Sequence, residues 1–278
     1  MYLARAATRV YRPGMSAPEW LSSVIGGVSS VALSASGRGG TALKQSMPPQ
    51  SAAYSPHWQT PMTSPASVRI DFVSDVSCPW CAIGLASLQQ ALAKLEGEVS
   101  AQIHFQPFEL NPQMAPEGED STEHVARKYG SSVEQVMANR EAIRARGAAL
   151  GFTFNMDRRS RVYNTFDAHR LLHWAELEGR QLALKQVLFR AYFTDGEDVG
   201  AHDTLQRLAA EAGLDAERAR QILAGDEFAN EVRTQEQFFQ SRGIHSVPAT
   251  IVNGQHLISG GQPPEAFEQA LRQIVASA

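Results

Sequence analysis

The sequence predicts an α/β fold in which a helical segment is inserted between the two halves of a small sheet-containing domain. Three observations lead to this prediction. Apolar residues alternate along Val68–Phe72, as they do in a half-buried strand. From about residue 122 to residue 225 the apolar spacing is almost wholly helical. Near the end of the chain, Asn253-Gly254 separates two short strand-like stretches, as in a β-hairpin.

The first half of the sheet-containing domain is predicted to be a strand, a helix and a second strand. The strand Val68–Phe72 leads through the turn at residues 74–77 to two cysteines. Apolar residues at helical spacing come next: Ile83, Leu85, Leu88, Leu92 and Leu95. A second strand around Ile103 and Phe105 ends in the proline-bounded stretch 107–112. The cysteines therefore stand at a strand-to-helix junction.

The helical segment is predicted to span residues 118–225 and to contain no strand. Ser132 is a candidate cap for a helix that runs through Ala149. Four further helices are predicted at residues 165–177, 182–193, 203–212 and 215–223.

The last block, residues 226–278, is predicted to complete the sheet. It begins with an amphipathic helix that ends at Gly243. The strands 249–252 and 256–259 follow, joined by the hairpin signal Asn253-Gly254, and a helix at 264–275 closes the chain. The whole order, β-α-β, helices, then α-β-β-α, is that of a thioredoxin fold with an inserted all-helical subdomain. Its two halves are residues 67–117 and 226–278.

Residues 1–66 differ in composition from the rest of the chain. They are rich in Ser, Ala, Gly and Pro, and Glu19 is the only acidic residue before Asp71. Three arginines in this acid-poor stretch are typical of an organelle transit peptide: Arg5, Arg9 and Arg12. A second interpretation is that translation starts later, at Met62. A secretory signal fits less well, because Gly and Ser interrupt the apolar stretch at residues 24–33. Each interpretation predicts a disordered leader outside the folded core.

Composition excludes several classes of protein. Hydrophobic residues make up 43% of the 278 residues and charged residues 19%, as in a globular protein. The formal net charge is −4 and no basic stripe is present, which argues against a nucleic-acid partner. No apolar run approaches the roughly 20 residues of a membrane-spanning helix. We therefore expect a soluble protein with no membrane partner, and the composition leaves the oligomeric state open.

The two cysteines, Cys78 and Cys81, form the motif Cys-Pro-Trp-Cys. A thiol attacks a disulfide as the thiolate, and the unpaired N–H groups and dipole at a helix start stabilise that anion. Pro79 suits the first helical position because its missing N–H would be unpaired there. We therefore predict that Cys78 is the nucleophile. Cys81, one turn later and facing inward, is predicted to resolve the mixed disulfide.

Cysteine and histidine residues at these spacings can also have roles other than redox chemistry. The cysteine pair could be half of a zinc site, but no second pair of cysteines accompanies it. It could be an inert structural disulfide, although so small a ring contributes little loop-closure stabilisation. His169 and His173, four residues apart on a predicted helix, have the spacing of metal ligands. Because no third ligand is evident, we favour positions on the helix surface or in a cleft and predict no metal site.

The stretch Ser246–Thr250 is a second candidate element of the site. A proline before a strand is often only a turn residue. Thioredoxin folds, however, place a cis-proline at this point, against the cysteine pair, and X-Pro bonds adopt the cis form at low cost. Such a bond leaves the backbone of Val247 free to pair with a substrate strand. The predicted substrate-binding residues are Pro79, Trp80, Val247 and Pro248.

Several motifs together resemble the DsbA family of oxidoreductases. They are V-S-C-P-W-C-A-I-G, P-F-E-L-N-P, N-T-F-D-A-H-R-L and G-I-H-S-V-P-A-T-I-V-N-G with the following I-S-G-G-Q-P-P-E. Within that family the sequence resembles the FrnE-type branch. This branch is a relative of 2-hydroxychromene-2-carboxylate isomerases and kappa-class glutathione transferases. The resemblance extends from about Val68 to Ile274. It implies a thioredoxin fold with a helical insert. It also implies a cysteine-based exchange site at Cys78, Cys81 and Pro248.

The residues and the resemblance predict an enzyme, a thiol–disulfide oxidoreductase that acts on protein or small-molecule disulfides. No cofactor is expected beyond the redox-active disulfide itself, and glutathione stays open as a co-substrate. The alternative is a glutathione-dependent isomerase or transferase. Those relatives generally carry a serine where Cys78 stands, so the intact pair favours redox chemistry. A third hypothesis is a metal-binding or chaperone-like module.

The expected compartment is the cytoplasm. The resembling branch includes cytoplasmic members, and the chain lacks a good secretory signal. An organelle or exported location is the alternative if the leader is a targeting segment.

Overall fold

A five-stranded sheet forms the centre of the fold. The computed structural model describes residues 9–10 and 64–277. Its strands are β1 (Arg9–Val10), β2 (Ala66–Ser74), β3 (Val99–Pro107), β4 (Glu119–Asp120), β5 (Arg161–Val162), β6 (Ala249–Val252) and β7 (His256–Ser259). The central sheet has the order β1-β7-β6-β2-β3, while β4 and β5 pair separately. β2 and β3 are parallel, and the other neighbouring pairs are antiparallel.

Helices cover the sheet and build the insertion. They are α1 (Pro79–Lys94), α2 (Ser121–Tyr129), α3 (Val133–Ala149), α4 (Phe166–Leu177), α5 (Gln181–Arg190), α6 (His202–Glu211), α7 (Ala216–Ala224), α8 (Ala229–Ser241) and α9 (Pro264–Ala276). A π-helical turn, Ala191–Asp195, extends α5. None of the described helices is both long enough and apolar enough to cross a membrane.

The two faces of β2 pack against different helices. Val68, Ile70 and Phe72 are buried in the main core, to which α1 and α9 contribute. Val73 points to the opposite face and packs with Phe239 of α8. With helices on both faces, β2 is buried along most of its length. Because β2 is held on both faces, the turn between its carboxyl end and the start of α1 has a fixed position.

The insertion shares its core with the sheet domain. Leu171 of α4, Leu184 and Leu188 of α5 and Leu88 of α1 are fully buried in one cluster. The same cluster contains Cys78 and Cys81, so the cysteine pair and the insertion share one core.

The predicted thioredoxin fold with a helical insertion is confirmed. Ser132 caps α3 through a capping box with Gln135, and α3 ends at Ala149 as predicted. The hairpin between β6 and β7 turns at Asn253-Gly254, where both residues have positive φ, 52° and 67°. Such a turn matches the twist of the flanking strands.

Two details of the predicted insertion are wrong. It is not all-helical, because β4 and β5 pair as a small antiparallel sheet. A two-residue strand contains too few positions for an alternating pattern to be visible. The helix predicted at 182–193 stops being an α-helix at Arg190 and continues as the π-helical turn to Asp195. Gly196, with a φ of 75°, ends it in the left-handed conformation that favours glycine.

Most of the predicted leader, residues 1–8 and 11–63, lies outside the described residues. Arg9–Val10 form β1 and pair with His256 and Leu257 of β7, so these two residues have a strand where the sequence predicts none. Backbone pairing at a sheet edge needs no side-chain pattern. β2 begins at Ala66, two residues before the predicted strand. The interpretation of the leader and of Met62 stays a prediction.

Candidate active site

Cys78 stands at the N-cap of α1. Its backbone is extended, with φ −89° and ψ 113°, and Pro79 occupies the first helical position. The backbone N–H of Cys81 donates to the Cys78 carbonyl at 3.0 Å, which closes the first turn around the pair. No side chain caps this helix start. The unpaired N–H groups and the positive end of the helix dipole therefore lie beside Cys78, where they stabilise a thiolate.

The two thiols differ in environment. Cys78 is 4% exposed, Cys81 is 0% exposed, and both are free thiols. The pKa of Cys81 is raised well above its ordinary value. The main cause is burial, and the hydrogen bond with Cys78 and the charge of Cys78 add to it. Trp80, between them, is 38% exposed and forms part of the outer surface of the site. Both cysteines are therefore buried, and Cys81 is the more enclosed of the two.

The loop before β6 lies against Cys78. The Val247–Pro248 peptide bond is cis, as the sequence predicts. The Cys78 Sγ donates to the Val247 carbonyl oxygen at 3.8 Å. The structure thus brings together the predicted site residues from two distant parts of the chain, although their roles in binding stay predictions.

Gly84, in the Cys-Pro-Trp-Cys-Ala-Ile-Gly motif, permits this approach. A Cβ at position 84 would lie 3.2 Å from Pro248 Cγ and 3.4 Å from Gly261 Cα. The glycine therefore keeps α1 close to the loop that carries Val247 and Pro248.

Replacing Gly84 by valine is expected to destabilise the fold by about 1–3 kcal/mol, because the added methyl groups overpack this contact. The measurement is the free energy of unfolding in denaturant. The half-buried Ala86 on the same helix gives the matched control, Ala86→Val, which introduces the same β-branched residue. Equal effects of the two substitutions would show that the contact with Pro248 is not tight.

Asp75 fixes the turn that leads to the cysteines. Its carboxylate is fully buried and accepts from the backbone N–H of Ser77 at 3.1 Å and of Leu110 at 2.6 Å. The His169 Nε2 lies 3.7 Å from Asp75 Oδ1. Burial alone raises the pKa of this carboxyl, but His169 and the two backbone donors outweigh burial and hold the pKa below its ordinary value. Asp75 therefore stays ionised and ties the turn to the loop after β3.

The insertion contains a fully buried lysine. Lys185 of α5 is 0% exposed, and its Nζ lies 5.0 Å from the centre of the Phe189 ring. Burial lowers the pKa of Lys185 to about 8, against the opposing effect of the negative charges of Cys81, Asp75 and Cys78. Lys185 is not among the residues that the sequence predicts for the site. A signal was present, because Lys185 falls within the apolar stripe of its helix, between Leu184 and Leu188.

Lys128, in the last turn of α2, contacts the loop after β3. Its Nζ donates to the Leu110 carbonyl at 2.6 Å and to Asn111 Oδ1 at 2.7 Å. Burial lowers the pKa of Lys128, and the negative charges of Asp75 and Cys78 oppose this effect. Lys128 therefore links the insertion to the loop after β3, where Asp75 also accepts the Leu110 N–H. Nothing in the local sequence signals this contact.

His169 and His173 are not grouped with carboxylates or cysteines as metal ligands. Among residues 64–277, no group of three or more His, Cys, Asp or Glu side chains is placed to hold a metal ion. His169 faces Asp75, and the His173 ring packs on the Phe228 ring with centres 5.2 Å apart.

In the reduced protein, iodoacetamide at pH 7 is expected to modify Cys78 at least about tenfold faster than Cys81, because a thiol that stays protonated and buried is a poor nucleophile. Peptide mass spectrometry over a time course measures both rates. The Cys81→Ser variant is the control and should be alkylated at Cys78 at the wild-type rate. Equal modification of both thiols in the folded protein would contradict the assignment of the outer and inner thiol.

This arrangement defines a class of protein: a thioredoxin-fold protein with a dithiol at the start of the first long helix of the fold. More narrowly, the chain belongs to the DsbA-like thioredoxin domain family, whose family model matches residues 69–272.

Known proteins agree with this membership. The chain is similar to a crystal structure of a probable DsbA oxidoreductase from Streptomyces coelicolor, with 35% identity, a TM-score of 0.71, and coverage of 76% of this chain and 91% of that one. It is 26% identical to the uncharacterized protein YwbO of Bacillus subtilis over 74% of this chain and 96% of YwbO. The cytosolic disulfide reductase DsbM of Pseudomonas aeruginosa, solved with glutathione, shares the fold at 17% identity and a TM-score of 0.52, over 75% of this chain and 99% of that one.

Proposed function

We propose that this protein is a thiol–disulfide oxidoreductase whose Cys78–Cys81 pair exchanges with disulfides of proteins or small molecules. The observation that carries the proposal is the unequal placement of the two thiols. Cys78 lies at the helix start against the loop that carries Val247, and Cys81 is buried one turn behind it. Family membership supports an enzyme of this general class.

The exchange has two steps. The Cys78 thiolate attacks one sulfur of a substrate disulfide, a mixed disulfide forms, and the other substrate sulfur leaves as a thiolate that takes a proton from solvent. Cys81 then loses its proton and attacks Cys78 Sγ. The mixed disulfide breaks, the second substrate sulfur leaves, and Cys78 and Cys81 are joined. Two electrons pass from the protein dithiol to the substrate, and the reverse sequence oxidises a substrate dithiol.

Backbone and side-chain groups around Cys78 fit an extended substrate. The Val247 carbonyl and the exposed face of Trp80 border the outer thiol. A substrate strand could pair with the loop backbone, as in β-strand addition. We propose that Pro79, Trp80, Val247 and Pro248 form the substrate-contacting surface, and that glutathione is one candidate small thiol for it.

Turnover assays test this function. The purified protein should be reduced stoichiometrically by dithiothreitol, gaining two thiols, and should then reduce insulin or glutathione disulfide with the loss of both. Thiol titration and mass spectrometry measure the change. A protein whose two thiols remain unchanged in the presence of every disulfide offered would overturn the proposal.

The glutathione-dependent isomerase or transferase is the second candidate, since the FrnE-type branch that the sequence resembles is a relative of such enzymes. That chemistry would require Cys78 but not Cys81. Activity that survives Cys81→Ser with glutathione present would favour it. We further propose a cytoplasmic site of action, which cell fractionation of the full-length chain would test.

A further inference from the structure

A cavity of about 330 Å³ lies between α8 and the central sheet, beside the hairpin that joins β6 and β7. Its lining is largely apolar and includes Phe238, Phe239, Ile244, Ile251 and Leu257. Phe238 is 45% exposed, and Ile251 and Leu257 are half-buried. A space of this size that is lined mostly by apolar side chains is within the range of small-molecule sites.

The central sheet forms one wall of this cavity and α8 forms another. Ile251 is paired with Asp71 of β2 and with Leu257 of β7, so these three side chains lie on one face of the sheet. Val73, two residues after Asp71, lies on the same face and packs with Phe239 of α8. The helix therefore covers the Val73 end of this face, and the cavity occupies the part around Ile251 and Leu257.

The described residues that line the cavity include three charged side chains, those of Arg69, Asp71 and Arg242. Arg69 donates to Asp71 Oδ1 at 2.8 Å and to Oδ2 at 3.2 Å, and Gln106 also donates to Oδ1 at 2.8 Å. The negative charge of Asp71 is therefore matched within the wall. Arg242 lies over the Phe238 ring, 4.2 Å from its centre, and brings the formal charge of this lining to +1.

An apolar wall with one surplus positive charge fits a ligand that has an apolar body and one negative charge. The five N–H donors of a guanidinium lie in its plane, so stacking of Arg242 on Phe238 is compatible with donation to an anion. A carboxylate or sulfonate accepts such donors in pairs, which is the strong form of this hydrogen bond. A cationic ligand would instead bring like charges together at Arg69 and Arg242.

The cavity is distant from the dithiol. Cys78 follows the carboxyl end of β2, whereas Arg69 lies near the amino end, where its backbone N–H donates to Asn253 Oδ1 of the hairpin at 3.0 Å. Residues 69–74 span roughly 16 Å of strand. Neither cysteine is among the described residues that line the cavity. A ligand bound here therefore occupies a site separate from the proposed substrate-contacting surface.

We propose that this cavity is a binding site for a small amphipathic organic anion, a molecule with an apolar body and a single carboxylate or sulfonate group. The apolar body packs against Ile251 and Leu257, and the anionic group accepts from Arg242 beside the exposed ring of Phe238. The proposal does not depend on the dithiol function, because binding at this site requires neither cysteine.

The test compares three ligands that share a naphthalene ring and differ in charge. They are 1-naphthoate, 1-naphthalenemethanol and 1-naphthylmethylammonium, and titration calorimetry with the full-length protein measures each dissociation constant. 1-Naphthoate is expected to bind one-to-one and at least about tenfold more tightly than the alcohol, because a hydrogen bond between charged groups contributes more than a neutral one. The ammonium compound should bind more weakly than the alcohol.

Two variants locate the ligand in the cavity. Arg242→Met removes the charge and keeps an apolar chain beside Phe238. It should weaken binding of naphthoate at least about tenfold and change binding of the alcohol less than about threefold. Leu257→Phe fills part of the cavity and should weaken binding of both. Arg272→Met is the matched control, because it removes an exposed arginine of α9 outside the cavity, and it should leave both dissociation constants unchanged.

Ile251→Phe is a second variant that fills the cavity, and thermal unfolding checks that every variant is folded. No saturable binding of naphthoate, or equal binding of naphthoate and the alcohol, would overturn the proposal. Binding that is lost in Trp80→Ala and kept in Arg242→Met would place the ligand at the dithiol and would also overturn it. So would a dimer that Phe238→Asp separates in sedimentation velocity, together with absent naphthoate binding, because a second copy of the chain would then cover this face.

Discussion

Replacing Cys78 by serine is expected to abolish disulfide exchange, with a loss of at least about 1,000-fold in the rate of insulin reduction. A hydroxyl is not ionised at neutral pH, so the helix start then has no thiolate to stabilise. Cys81 cannot substitute, because it is fully buried and its pKa is raised. The measurement is turbidity from reduced insulin, compared at equal protein concentration.

The matched control is Cys81→Ser, which removes the same atom one turn later. This variant is expected to form mixed disulfides that persist, because the resolving thiol is missing. Non-reducing electrophoresis with a disulfide-containing partner should show a covalent complex in Cys81→Ser and none in Cys78→Ser. Trapping through Cys81 in the Cys78→Ser variant would reverse the assigned roles.

Replacing Asp75 by alanine is expected to lower the free energy of unfolding by about 3–5 kcal/mol. The substitution leaves the N–H groups of Ser77 and Leu110 and the ring of His169 without the carboxylate that faces them. Chemical denaturation monitored by tryptophan fluorescence measures this loss. Because the turn carries Cys78, disulfide exchange should also slow at temperatures where the variant is still folded.

Asp75→Asn is the control, since it keeps the shape and one acceptor oxygen but removes the charge. The folded protein holds the pKa of Asp75 below its ordinary value of 3.8, so the ionised carboxylate stabilises the fold. That stabilisation is fully present above pH 3.8 and is lost as pH falls through the lower pKa of the folded state. Wild type should therefore lose stability in this acid range, and Asp75→Asn should lose less. Identical acid profiles for both proteins would contradict a stabilising charge at Asp75.

Local signals were sufficient for much of the fold. The capping box at Ser132 and the hairpin at Asn253-Gly254 act between residues a few positions apart, so the sequence alone identifies them. The strand–helix junction that carries Cys78 is of the same kind, because alternation changes to helical spacing within a few residues. The small sheet of β4 and β5 escaped prediction because its strands are too short to carry a pattern.

The surroundings of the thiols depend on contacts between distant residues. Asp75 meets Leu110 across 35 positions, and Cys78 meets Val247 across 169. In the sequence, Gly84 is one motif residue among several. Only the structure shows that a Cβ at this position would lie 3.2 Å from Pro248 Cγ, so that a larger side chain does not fit.

By itself, the sequence determined the fold class and the position of the cysteine pair at a helix start, because periodicity, caps and turn residues express local backbone preferences. Tertiary structure decided which groups surround the pair. Lys185 looks like one polar residue in an apolar helix, but packing buries it completely and lowers its pKa to about 8. Lys128 looks like a surface charge, but its Nζ donates to the Leu110 carbonyl. The physical reason is that the pKa of a group depends on how deeply it is buried and on which charges lie near it in space. Both are set by packing between distant parts of the chain.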